Sequence, residues 1–140
     1  MLRGQCICGA VTIELKARPT HINNCNCSLC LRSGALWGYF APQDVIITGE
    51  TREFIRNDIG VPALISHFCG HCGNVTHWTS LKGFPQDRMG VNMRLMEAAA
   101  SAGVTIKYPD GASWDDVSEL GYRRPDVIVP ETGLAGLCCC

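Results

Sequence analysis

The sequence has no surplus of basic charge. Lysine and arginine number 12 against 13 acidic residues, a formal balance of −1 at pH 7. Direct binding to a nucleic-acid backbone works by neutralising phosphates with clustered cations, and this balance counts against it. Long apolar runs are missing as well: no stretch reaches the roughly 18 residues that a membrane helix requires. The residues Met1 to Cys6 contain no apolar segment of the kind that marks a secretory leader. Charged residues are sparse at 18%, whereas hydrophobic ones reach 46%, which excludes disorder as the main state. At 140 residues the chain is sized for one domain.

Cysteine is the residue in excess, with 10 copies. The reading without a leader places the chain in the cytoplasm, where thiols stay reduced. There, a cysteine-rich chain uses thiolates for metal more than for disulfides. The cysteines fall into four clusters: Cys6-Ile7-Cys8; Cys25-Asn26-Cys27-Ser28-Leu29-Cys30; Cys69-Gly70-His71-Cys72; and Cys138-Cys139-Cys140.

Between the clusters the chain reads mostly as strand. Val11, Ile13 and Leu15 alternate with Thr12, Glu14 and Lys16, a period of two with one wet face. Residues 35–41, 45–48, 50–56, 63–68, 74–79, 90–95 and 104–108 are further candidates, rich in β-branched and aromatic side chains and parted by turn signals. Only residues 96–102 look helical, stopped by Gly103. Asn92 and Arg94 fall on the wet face of their strand. The expectation is a mostly β domain over residues 1–120, built of small antiparallel sheets with at most one short helix. Residues 121–140, with Pro125, Pro130, Gly133 and Gly136 and no clean period, read as a flexible tail.

A tetrahedral structural zinc takes four ligands, and a catalytic zinc takes three and keeps one position open. The knuckle Cys69-Gly70-His71-Cys72-Gly73 supplies two thiolates. Cys6 and Cys8, two apart in extended chain, supply two more from one face. Cys25, Cys27 and Cys30 remain. Division between two ions that keeps every cluster whole gives a closed site of Cys6, Cys8, Cys69 and Cys72, and an open site of Cys25, Cys27 and Cys30. Three thiolates around one Zn²⁺ leave a single net negative charge, which suits a soft thiol ligand held as thiolate. Such a thiolate attacks an aldehyde-like carbon, so the expected reaction makes or breaks a carbon–sulfur bond. Alternatives stand beside this reading: a second structural zinc closed by His21, His67, His71 or His77, an iron–sulfur cluster, disulfides, or a non-catalytic zinc-stabilised protein-binding module. The triplet Cys138-Cys139-Cys140 reads as a mobile end with oxidation-prone thiols.

At these residues the chain resembles a known family. Gly4-x-Cys6-x-Cys8-Gly9-x-Val11, then Cys25-x-Cys27-x-x-Cys30, then Phe68-Cys69-Gly70-x-Cys72-Gly73 are similar to the motifs of the glutathione-dependent formaldehyde-activating enzymes, a family that includes centromere protein V-like proteins. The resemblance spans roughly residues 3–115. It implies a β-tent fold with two zinc ions per chain. It assigns Cys6, Cys8, Cys69 and Cys72 to the structural ion and Cys25, Cys27 and Cys30 to the catalytic one. The implied activity is that of a carbon–sulfur lyase, an S-(hydroxymethyl)glutathione synthase-like enzyme joining a thiol such as glutathione to formaldehyde. Its partner is then a small thiol, with no nucleic acid and no membrane. Two positions depart from the family's habit: Asn26 where histidine is frequent, and Leu31-Arg32 where a basic pair is frequent. Arg32 is weighed as a carboxylate binder against an ordinary surface arginine. Trp37 and Tyr39, on one strand face, are weighed as pocket wall against core.

Overall fold

The computed structural model of the chain describes residues 1–137, and the triplet Cys138-Cys139-Cys140 lies outside the described residues. In chain order the strands are β1 (Leu2–Gln5), β2 (Thr12–Leu15), β3 (His21–Asn23), β4 (Trp37–Phe40), β5 (Val45–Thr48) and β6 (Thr51–Phe54). There follow β7 (Leu64–Cys69), β8 (Val75–Ser80), β9 (Met89–Asn92), β10 (Thr105–Lys107) and β11 (Val127–Ile128). One α-helix, α1 (Ser28–Ser33), lies between β3 and β4. The class is therefore as the sequence suggests, mostly β, with a single short α-helix among the described residues.

β1, β2 and β5 form a three-stranded antiparallel sheet, and the other strands form an eight-stranded one in the order β11-β10-β3-β4-β9-β8-β7-β6. In the larger sheet only β10 and β3 run parallel. Alternation decides which side chains go inward. Ile13 and Leu15 are fully buried, while Thr12 and Glu14 between them are half-buried. They meet Ile22, Phe40, Val91 and Ile106 from the larger sheet, and Met93 just after β9, in one apolar core. Each such side chain is worth roughly 1.5–3 kcal/mol when fully buried. No helix among the described residues is long and apolar enough to cross a membrane.

Four local expectations are corrected. The helix is not at residues 96–102. Met93–Leu95 and Ala98–Ala100 form separate 3-10 turns, because Met96 bridges Gly4 and the Glu97 amide donates to Arg3. Tertiary pairing with β1 thus overrides the helix preference of three alanines. Second, Cys6 and Cys8 do not sit in extended chain: they occupy a turn in which the Gly9 amide donates to the Cys6 carbonyl at 2.9 Å, with Gly9 at φ +76°. Third, Asn92 is buried at 6% exposure. Its Nδ2 donates to the Val75 carbonyl, and its Oδ1 accepts from the Leu36 and Arg94 amides. Fourth, residues 127–137 are docked, not loose. β11 pairs with β10, Val129 is 1% exposed, and Leu134 and Leu137 pack on the main core. The apolar side chains Val127, Val129, Leu134 and Leu137, irregularly spaced among prolines and glycines, cover the edge of the sheet without a readable period.

Candidate metal centres

The first centre joins two turns from the two sheets. Cys6 and Cys8 follow β1, and Cys69 ends β7, with Cys72 in the turn before β8. Gly73, at φ +77°, lets its amide donate to the Cys69 carbonyl at 2.9 Å and closes that turn. The Ile7 amide donates to Asn74 Oδ1 at 2.8 Å and ties one turn to the other. The four sulfurs lie within 4.8 Å of one another. Cys6 Sγ is 3.5 Å from Cys8 Sγ, which is 3.6 Å from Cys69 Sγ. A tetrahedron with metal–sulfur bonds of about 2.3 Å has sulfur–sulfur edges of about 3.8 Å, so the donor set fits a zinc-sized ion. Backbone amides point at the sulfurs: Val11 to Cys6 at 3.3 Å and His71 to Cys69 at 3.4 Å. Cys6 and Cys8 are shifted in opposite directions. Burial pushes Cys6 up, yet the Val11 amide and the neighbouring thiols outweigh it and lower it to about 6. Cys8, despite the Ala10 amide, is raised to about 12 by Cys6, by desolvation and by Cys69 and Cys72. One proton leaves readily and the next does not, unless a cation balances the charge.

The second centre is assembled around α1. Cys25 lies in the chain after β3, Cys27 is the residue before the helix, and Cys30 is in its first turn. Three residues apart at the start of a helix, Cys27 and Cys30 share a face. The Leu31 amide donates to the Cys27 carbonyl at 2.9 Å, and Gly34, at φ +67°, caps the end through Cys30 at 3.0 Å. The three sulfurs lie within 4.8 Å of one another, and among the described residues no histidine, aspartate or glutamate ligand atom joins them within that distance. The four histidines are elsewhere. His67 and His77 stack on each other at 4.2 Å, His21 packs on Tyr39, and His71 is exposed in the knuckle. All seven described cysteines are free thiols, so the disulfide alternative does not describe them.

Each sulfur of the trio has its own neighbour. The Trp37 indole Nε1 donates to Cys30 Sγ at 3.3 Å, and the Cys27 amide donates to Cys25 Sγ at 3.4 Å. The Arg56 guanidinium lies beside Cys27. It is held there by two bonds to Asp58, at 2.7 and 2.9 Å, and by Ser28. Arg56, and then Ser28, keep the Asp58 carboxyl well below the ordinary carboxylate range. Hydrogen bonding to Cys25, and then Cys30, pulls Cys27 down, whereas Cys30 is pushed up by Cys25 and then Cys27. Trp37 and Tyr39, weighed as wall or core, serve as both: Trp37 is buried against the trio, and Tyr39 packs on Trp78 beneath the Arg88 guanidinium. Asn23 Nδ2 donates to the Tyr39 hydroxyl at 2.9 Å, while its buried Oδ1 has no partner among the described residues.

A cavity of about 680 Å³ flanks α1, lined by Arg32, Arg56, Phe54, Phe68 and Val75 among others. Arg32 is exposed there and donates to the Ser28 carbonyl at 3.2 Å. Sequence reasoning missed Arg56 and Asp58, which stand beside an exposed loop and carry no motif.

The model of the family described as glutathione-dependent formaldehyde-activating enzyme matches residues 1–107. The chain belongs to that family. The cysteines of both centres lie inside the matched span, which ends with β10. A crystal structure of a Rhodobacter sphaeroides protein is similar at 28% identity and a TM-score of 0.56, over 68% of this chain and 87% of that one. No curated protein matches the chain.

Proposed function

We propose that this member of the glutathione-dependent formaldehyde-activating family is a zinc-dependent carbon–sulfur lyase. In this reading Cys6, Cys8, Cys69 and Cys72 hold a structural zinc, and Cys25, Cys27 and Cys30 hold a catalytic one. The supporting observation is the contrast between the clusters: four converging sulfurs in one, three in the other with no fourth ligand atom in reach among the described residues. Zinc at the trio supplies an open position and a Lewis-acid charge for a thiol.

The chain's own residues then divide the work. Trp37 and the Cys27 amide orient the sulfurs of Cys30 and Cys25, and Arg56, paired with Asp58, stands beside Cys27. Arg32 and Arg56 line the adjoining cavity and offer guanidinium groups to the carboxylates of a thiol such as glutathione. Phe54, Phe68 and Val75 make part of the cavity walls apolar. In the forward direction the thiol sulfur bonds to the carbon of formaldehyde, and the thiol proton ends on the aldehyde oxygen. The reverse reaction releases both. Free, metal-ready thiols suit a reducing compartment such as the cytoplasm.

The test is the rate at which glutathione and formaldehyde form S-hydroxymethylglutathione, followed by NMR. The wild-type protein with two zinc ions should accelerate it. Cys27→Ser should abolish the acceleration while keeping the fold and one zinc. Two intact zinc ions with only the uncatalysed rate would overturn the proposal in favour of a protein-binding module.

A further inference from the structure

Beyond Lys107, where the family match ends, the chain returns to the trio. A Cβ on Gly111 would stand 2.5 Å from Cys25 Sγ and 3.2 Å from Cys27 Cβ. The backbone of this loop is therefore packed directly on the sulfur, at a distance only glycine permits. Its position is set by Asn26, the residue between the first two cysteines. Asn26 Nδ2 donates to Asp110 Oδ1 at 2.7 Å, and Asn26 Oδ1 accepts from the Ala112 amide at 3.0 Å. The base of the loop is tied down by the Asp110 amide donating to Gly121 at 2.8 Å, beside a bridge between Pro109 and Tyr122. One side chain thus grips the loop on both flanks of Gly111.

A sulfur ligand completing a tetrahedron with the trio would lie about 3.8 Å from Cys25 Sγ. With the open position on the Gly111 side of Cys25, substituents on the first carbon of that ligand would sweep the space next to the loop. A primary carbon can turn its one chain away from the loop. A tertiary carbon always directs one branch at the loop. We propose that Asp110–Ala112 is a steric selectivity wall for the trio, that Asn26 is the positioning residue holding it, and that the site accepts thiols whose sulfur is on an unbranched carbon. This inference rests on the thiol reading of the trio.

Its test uses the full chain loaded with cobalt(II), titrated separately with mercaptoethanol and with tert-butyl thiol. Growth of the sulfur-to-cobalt charge-transfer absorption gives the two dissociation constants, and their ratio cancels the intrinsic strengths of the thiols between variants. Asn26→Ala should shift the ratio toward the tertiary thiol by about tenfold. Asp110→Ala, which leaves the bond to Ala112, should shift it the same way by less. The absorption of the four-cysteine site reports that each variant is folded. An unchanged ratio in both folded variants, with both thiols binding, overturns the wall and leaves the thiol reading standing. Failure of mercaptoethanol to bind the wild-type cobalt protein overturns both, and failure of the tertiary thiol to bind the wild type and both folded variants alike overturns the wall alone.

Discussion

Cys30 is the most buried residue of the trio, and the indole of Trp37 is the one N–H donor on its sulfur among the described residues. A hydrogen bond to a charged acceptor is worth roughly 1.5–3 kcal/mol. Trp37→Phe keeps the ring in place and removes the donor. It should weaken zinc at the trio about tenfold, corresponding to about 1.4 kcal/mol, and leave the four-cysteine site unchanged, as competition with a chelator would show. At this scale the cysteines were legible because thiolates in complete local clusters divide between ions in one way. Their supporting residues were not. Arg56 and Gly111 reach the trio from distant parts of the chain, and only the strand order brings them there. Asn92 was misread because alternation places it on one side of β9 but does not reveal that β8 and the segment before β4 cover that side.

At the scale of the element, β7 and β8 place His67 opposite His77 and stack the rings at an interplanar angle of 2°. Burial, and then His67, lower His77 from 6.5 to about 4. His77 is thus neutral in the fold, with Thr76 bonded to its Nδ1 at 2.9 Å. As pH falls below the unfolded value, the unfolded chain takes a proton that the fold refuses until about 4. Stability therefore declines with falling pH inside that window and not below it. His77→Phe removes this slope. Urea unfolding of the wild type and the variant should show their stability difference moving by about 2–3 kcal/mol between neutral pH and the lower end of the window, in the variant's favour. The strands themselves were legible from alternation and turn residues. β1 and β3 were not, being short and lacking a strong period, and neither was α1, whose six residues carry only a C-terminal glycine as a signal.

For the whole molecule, the last described segment is part of the core. Val129 sits among Val104, Ile106 and Leu36 in the main apolar cluster. Val129→Ala should cost about 2 kcal/mol of unfolding free energy, measured as a lower midpoint in urea. A loosely attached segment would give no change. The overall class was legible because composition excluded disorder and a membrane helix, and because period-two patterns dominated. The docking of residues 127–137 was not, since prolines and glycines break the period and β11 adds only two residues to the sheet.

The division of seven cysteines into a closed and an open centre is tested most directly by X-ray absorption at the zinc edge, with metal content measured on the same sample. Two zinc ions per chain should show a mean of about 3.5 sulfur ligands, rising to about 4 when glutathione is added. A mean of about 4 before any thiol is added, or no rise on its addition, would contradict the open trio.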